Sequence, residues 1–280
     1  MLRYGYISNG FADHTLEQMI EVLAHFGYQG LGITLDPRHL DPFHATAQRL
    51  RRIRELARGA GLEIVIETGA RYALDTFRKH RPSLVSVDPR GRRQRLVWYR
   101  RGLEIASELG AGVLSLWSGT PQPGIPKDAS WARLEEALAV LLDHAQSAGV
   151  TIGFEPEPGM FVEDLEDFAE LKRRIDHPCL KLTLDLGHLA ITEGPPLADR
   201  VVEVGGEIVN VHADDVRGGR HEHLPLGEGE IEFPPLLAAL GRLDYRGLVL
   251  VELSRDSHRA PLLAQRSLLY LRNAEGRGEE

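Results

Sequence analysis

One cysteine, Cys179, in 280 residues leaves no partner for an intramolecular disulfide and suits a reducing compartment. It precedes the apolar run LKLTLD and reads as a small core residue. No apolar run approaches the ~18 residues of a membrane span. The opening MLRYGYISNG lacks the apolar stretch of a signal peptide. A cytoplasmic protein away from membranes is the expectation. No GxGxxG follows the first apolar run, which removes the dinucleotide-binding fingerprint. Positive charge is also short overall: the net charge of −8 argues against a general nucleic-acid binder.

The basic residues are concentrated. Between Arg71 and Arg101, ten Arg and Lys accompany two Asp. Two readings stand for this stretch. From Arg92 to Arg101 it is a solvated helix face, or it is a positive rim for an anionic substrate. Hydrophobic content of 42% and charged content of 26% are ordinary for a globular chain.

Short apolar runs alternate with helical patterns along the whole chain. The runs are YGYIS, GLGITL, LEIVIET, GVLSLW, TIGFE, LKLTLD, IVNVH and GLVLVE. Helices are predicted over Leu16–Phe26, Thr46–Ala60, Asp88–Leu109, Ser130–Ala148, Glu163–Ile175, Leu197–Val204, Pro234–Leu243 and Pro261–Arg272. Asp88-Pro89 makes a cap and first-turn pair, and Gly27, Gly61, Gly110 and Gly149 mark helix stops. A long loop is predicted after IVNVH. Eight strands and eight helices in alternation give an α/β fold, a (β/α)8 TIM barrel. An open doubly wound sheet is the weaker alternative. No linker divides the chain, so residues 1–273 are expected to form one domain, with 274–280 a disordered tail.

Glu155, Asp185, His212 and Glu252 close four successive predicted strands. A parallel barrel brings its strand C-termini to one face, where these side chains would converge. Three carboxylates and an imidazole make a mixed oxygen and nitrogen site for one divalent cation: Mn, Mg, Co or Zn. Glu157 lies on the same side of an extended GFEPEPGMF segment as Glu155 and reads as a substrate contact or a loop cap. The weaker alternatives are Asp185 as an N-cap of the next segment and His188 as a satisfied loop histidine. The His221-Glu222-His223 segment can grip a cation through its two imidazoles. Glu67 and Arg71 at the end of strand three are a charged pair at the expected barrel mouth. Arg71, Lys79, His80 and Arg81 lie in a long loop suited to cover the site and bind an anionic group. Trp117 offers an apolar wall for a sugar ring or is simple core.

The glutamate closing strand five, the DxGH of strand six (Asp185 to His188), the HxxD of strand seven (His212 to Asp215) with HLPLGEGEI after it, and the VEL of strand eight together resemble the sugar phosphate isomerase/epimerase family. That family lies in the xylose-isomerase-like TIM-barrel superfamily. The resemblance covers most of the chain, most strongly Gly149 to Leu253. It implies that Glu155, Asp185, His212 and Glu252 bind metal, with Glu155 and Glu252 doubling as the acid/base pair. It implies that His188 contacts substrate hydroxyls, and it makes Arg217 the nearest match to a substrate-binding arginine.

The superfamily also holds a zinc-dependent AP endonuclease. Its histidines on strands three and four have no counterpart in IETGAR and LSLWSG. One of its zinc subsites, a histidine after strand six and a pair in the loop after strand seven, resembles His188, His221 and His223, and this leaves a second metal, a zinc, open. The leading expectation is a metal-dependent isomerase or epimerase acting on a small carbohydrate-like substrate by proton abstraction next to a carbonyl. The alternatives are a multi-zinc hydrolase or phosphoesterase and a non-catalytic metabolite-binding barrel. A homo-oligomer is left open.

Overall fold

The computed structural model describes residues 1–276. In chain order the elements are β1 (Arg3–Ile7), α1 (Leu16–Phe26), β2 (Gly30–Thr34), α2 (Ala47–Gly59), β3 (Glu63–Glu67) and α3 (Pro89–Leu109). Then come β4 (Val113–Leu116), α4 (Lys127–Ala148), β5 (Thr151–Phe154), α5 (Leu165–Arg174), β6 (Leu180–Asp185), α6 (Leu186–Thr192) and α7 (Leu197–Glu203). The chain finishes with β7 (Ile208–Ala213), β8 (Asp215–Arg217), β9 (Arg220–Leu224), α8 (Phe233–Arg242), β10 (Leu248–Val251) and α9 (Ala260–Ala274). Eight strands close into a barrel in the order β1-β10-β7-β6-β5-β4-β3-β2, and β8 pairs with β9 in a separate two-stranded sheet. This is the (β/α)8 barrel that the alternation predicts.

Local chemistry explains the element boundaries. Thr15 and Gln18 form a reciprocal capping box at the start of α1. Asp88 accepts from the Arg90 amide, and Pro89 supplies a first-turn residue that needs no partner for its nitrogen. In α8, Phe233, Leu236, Leu237 and Leu240 are buried at helical spacing, so one stripe faces the core. Each such fully buried side chain is worth roughly 1.5–3 kcal/mol.

The chain divides into two compact units. Among the described residues, one comprises Met1–Gly32, Glu55–Glu63 and 182–276; the other comprises Ile33–Arg54 and Ile64–Lys181. In the first, β1, β10, β7 and the end of β6 run parallel in register. His212 stands level with Asp185 on one side and with Leu250 on the other. Tyr4, Phe11, Leu184, Val211, Leu250 and Leu268 belong to its core. In the second, β3, β4 and β5 pair through Glu67 with Ser115 and through Leu116 with Phe154. Trp98, Leu103, Leu114, Leu134, Leu138 and Phe154 pack there.

Several expectations change. The stretch after β7 begins with a hairpin, β8 and β9, and only residues 225–232 are loop; the hairpin's turn residues Gly218 and Gly219 both have positive φ, 59° and 66°. A two-residue turn of that geometry matches strand twist, and Gly-Gly between alternating residues is its signal. Helix α6 is additional to the predicted helices; it follows β6 with no connecting residue, since Asp185 both ends the strand and caps the helix. Helix α4 begins at Lys127, three residues before Ser130, since Pro126 rather than a hydroxyl or carboxylate residue precedes it. Cys179 is half-buried and free, not a core residue. Of the expected tail, Ala274 ends α9 and the Glu275 carboxylate accepts from Leu2 N at 3.0 Å and Tyr4 Oη at 2.9 Å. Residues 277–280 of the expected disordered tail lie outside the described residues.

Candidate metal centre and active site

The two oxygens of Asp185 have different surroundings. Its Oδ1 accepts the His188 amide at 2.7 Å and so caps α6. Its Oδ2 is buried and has no hydrogen-bond partner among the described residues. That oxygen lies 3.8 Å from Nδ1 of His212, and Glu252 Oε2 lies 3.3 Å from the same nitrogen. Asp185, His212 and Glu252 each offer a ligand atom within 4.8 Å of the others. Asp185 and His212 are 2% exposed, so water does little to screen their charges. A buried carboxylate oxygen without a donor is costly unless something positive meets it. Two carboxylates and one imidazole suit a divalent cation.

Two side-chain amides support this trio, and neither stood out in the sequence. Asn9 Nδ2 donates to Glu252 Oε1 at 2.7 Å. The Asn210 amide lies 3.0 Å from Nε2 of His212. Burial pushes the Glu252 carboxyl up, but His223, His212 and the Asn9 amide outweigh it and hold the group low.

A second cluster adjoins the first. His188 and His221 meet through their Nε2 atoms at 2.9 Å, so one of the two nitrogens carries a proton. The rings of His221 and His223 have centroids 4.3 Å apart. Asp214, fully buried, lies 2.7 Å from Nδ1 of His223. Asp214, His221 and His223 offer ligand atoms within 4.8 Å of one another. Burial first, and Asp185 second, raise the Asp214 carboxyl. Burial lowers His223, but Asp214 overcomes it and raises the imidazole above its ordinary range. His221 is pushed down to about 3, by burial first and then by His188 and His223. The fit around Asp214 is tight: a Cβ on Gly187 would stand 2.2 Å from its Oδ1, so only glycine serves there. Asp214, one residue past the end of β7, does not stand out in the sequence; its spacing of two from His212 is the signal that points to it.

Arg217 is exposed on β8, and its guanidinium donates to the Glu228 carbonyl, at the far side of the hairpin turn from His223. Asp215 is spent structurally. It accepts from the amides of Val216, Gly227, Gly229 and Ile231, and so fastens the GEGE segment to β8.

The other expected residues belong to the second unit. Glu155 follows β5 directly, is 7% exposed, and donates its amide to the Leu116 carbonyl at 2.8 Å. Glu157 is half-buried two residues on. Glu67 ends β3 and Trp117 follows β4, both 6% exposed. Arg71 is half-buried with φ at 41°, and its carbonyl accepts the His80 amide at 2.7 Å. The loop is folded onto Arg95. That side chain is fully buried, donates from Nε to Pro82 O and from Nη2 to His80 O at 2.7 Å each, and stacks 5.0 Å from the Trp117 ring. For Arg95, then, the solvated-face reading and the positive-rim reading both fail. His80 packs edge-on to Trp117 at 5.2 Å. Its pKa is pushed down to about 3, chiefly by burial and then by Lys79, Arg95 and Arg71. No helix among the described residues is long and apolar enough to cross a membrane.

Known proteins give this geometry a context. An uncharacterized protein of Methanocaldococcus jannaschii is 26% identical over 264 residues, covering 90% of this chain and 83% of that relative. The L-ribulose-5-phosphate 3-epimerase of Salmonella typhi is 26% identical over 232 residues, covering 82% of this chain and 81% of the enzyme. Among solved structures, a D-tagatose 3-epimerase-like protein superposes with a TM-score of 0.78 at 22% identity, covering 97% of this chain and 99% of that one. Curated relatives and structural neighbours thus include sugar epimerases. Residues 9–274 match the family described as xylose isomerase-like TIM barrel, and the chain belongs to that family.

Proposed function

We propose that the protein is a divalent-metal-dependent isomerase or epimerase of a sugar, sugar phosphate or related polyol. The observation that carries this reading is the trio of Asp185, His212 and Glu252 on neighbouring strand ends, with the Asp185 Oδ2 left without a donor. The likeness to an L-ribulose-5-phosphate 3-epimerase supports the reaction class. Glu155, at the end of β5, is proposed as the fourth ligand.

When bound, the cation supplies Lewis acidity that polarises a substrate carbonyl and acidifies the adjacent C–H. The protein's own groups do the proton work. One of Glu155 and Glu252 removes the proton, and the other returns one to the opposite face. His188, capped into place by Asp185, steers a substrate hydroxyl through its ring nitrogen. Trp117, Glu67 and Glu157 contribute walls and polar contacts. Arg71 in the loop over Arg95 takes an anionic end of the substrate, with Arg217 as a further candidate contact.

The decisive experiment incubates the protein with manganese and L-ribulose 5-phosphate, or with D-tagatose, in deuterated water. Deuterium at the carbon next to the carbonyl, together with the epimeric product, is the expected result. No exchange with either substrate, from protein that holds a divalent cation, overturns the reading.

One observation favours a second reading. The Asp214, His221 and His223 cluster, with His188 beside it, has the donor set of a zinc site. With two or three zincs the chemistry would be phosphoester hydrolysis. Elemental analysis separates the two: one manganese, magnesium or cobalt per chain favours isomerisation, and two or three zincs favour hydrolysis. The net charge of −8 goes with a small substrate rather than a nucleic acid.

A further inference from the structure

β1 ends at Ile7, and the chain enters a tight 3-10 turn, Ser8–Phe11, whose four residues are all buried. The turn is held from two sides. Ala12 N donates to Ser257 Oγ at 3.0 Å, and that hydroxyl donates to the Asn9 carbonyl at 3.3 Å. The Phe11 ring packs edge-on to Tyr6 at 5.2 Å. The Asn9 backbone therefore has little freedom.

The Asn9 side chain carries a single hydrogen bond among the described residues, from Nδ2 to Glu252 Oε1 at 2.7 Å. Its Oδ1 is buried without a partner. Most buried side-chain polar atoms are paired, so this amide is not placed to satisfy itself. The reversed amide would set oxygen against carboxylate oxygen, two acceptors with no proton between them. The two oxygens of Glu252 are thereby made different. Oε1 is held by Asn9, and Oε2 faces His212 Nδ1 at 3.3 Å.

We propose that Asn9 is a positioning residue for Glu252. It holds Oε1 so that Oε2 alone is offered to the cation. Oε1 keeps a second lone pair, which is the one available to a substrate proton. This rests on the reading of Glu252 as both metal ligand and acid/base group. Without the amide, Glu252 can swing and engage the cation through both oxygens, and its capacity to move a proton falls while the cation stays.

The test uses the full chain loaded with cobalt(II), as wild type, Asn9→Leu and Asn9→Asp. Leucine keeps the volume and loses the donor; aspartate keeps the shape and presents only acceptors. Thermal unfolding identifies the variants that fold, and either one suffices. The expected result is one cobalt bound per chain in each, with a weaker visible absorption band as coordination number rises. Turnover of the substrate accepted by the wild type should fall at least ~10-fold, the scale of positioned proton transfer, with KM changed less than ~3-fold.

Wild-type band intensity and kcat in a folded variant overturn the proposal. So does loss of cobalt from a folded variant, because positioning leaves the ligands themselves intact. A wild type that binds no cobalt overturns the metal-site reading instead, and that is seen before any variant is measured. Should the wild type bind cobalt but turn over neither ketose, the absorption band alone decides the role of Asn9.

Discussion

The Asn210 amide and the His212 imidazole lie 3.0 Å apart, two residues along β7 and on the same face of the strand. Both side chains are buried. The contact turns Nε2 of His212 toward the amide and leaves Nδ1 toward Glu252 and Asp185. A ligating Nδ1 must be bare, so the ring proton then belongs on Nε2, where the amide can turn its oxygen to accept it. Loss of such an orienting partner typically weakens metal affinity ~10–100-fold. Asn210→Leu should therefore raise the dissociation constant for cobalt by that order without unfolding the protein. Calorimetric titration checks it, and an unchanged constant would mean that packing alone orients the ring.

The imidazole cluster makes a separate claim on zinc. If Asp214, His221 and His223 hold a second ion, zinc-loaded wild type should contain two equivalents per chain. His221→Ala and Asp214→Asn should each contain one. Elemental analysis after gel filtration counts them. A single equivalent in the wild type would remove the second site and the hydrolytic reading with it.

His80 gives an acid-side prediction. Its folded-state pKa is about 3 against 6.5 in a free imidazole. Between those values the unfolded chain binds a proton that the folded chain refuses. Stability attributable to this group is therefore intact above pH ~6.5 and lost as pH falls toward ~3, with a slope of at most about 1.4 kcal/mol per pH unit. His80→Phe, which keeps an aromatic ring against Trp117, should flatten the dependence of unfolding free energy on pH in that window. Urea titrations at several pH values measure the slope; a slope equal to that of the wild type would refute the assignment.

Asp215 is a structural carboxylate. It is fully buried and takes four backbone amides, and a Cβ on Gly229 would stand 2.2 Å from its Oδ1. Asp215→Ala leaves those donors unpaired, at a cost of roughly 1–3 kcal/mol for an unsatisfied group, and several are exposed to that loss. The unfolding midpoint in urea should drop by an amount equivalent to at least ~3 kcal/mol. A drop below ~1 kcal/mol would show that water replaces the carboxylate.

Much of this protein is written in short stretches of sequence. The boundaries of α1 and α3 follow from Thr15, Gln18, Asp88 and Pro89, residues that act on backbone three or fewer positions away. The barrel follows from the alternation of apolar runs and helical patterns. Asp185, His212 and Glu252 stand out in the sequence as candidate ligands because each stands where an apolar strand stops. Asp185 reads in two ways, as cap and as candidate ligand; the cap uses Oδ1 and leaves Oδ2 toward His212. The Gly218-Gly219 turn carries a hairpin signal of its own, since two glycines between short extended runs suit a two-residue turn.

Other features were decided only by tertiary structure. Asn9 meets Glu252 across 243 residues, through strands that pair side by side in the barrel. Arg95 reads as one more exposed arginine in a basic helix, yet it is buried because the loop from Gly69 to Val87 lays two carbonyls over it. Asp214 becomes a partner of His223 only when the hairpin folds back. Caps, turns and strand ends are set by interactions within a few residues, and sequence encodes them directly. A neutral amide or a buried charge takes its meaning from whichever distant backbone the closing sheet brings against it, and no local pattern marks that choice.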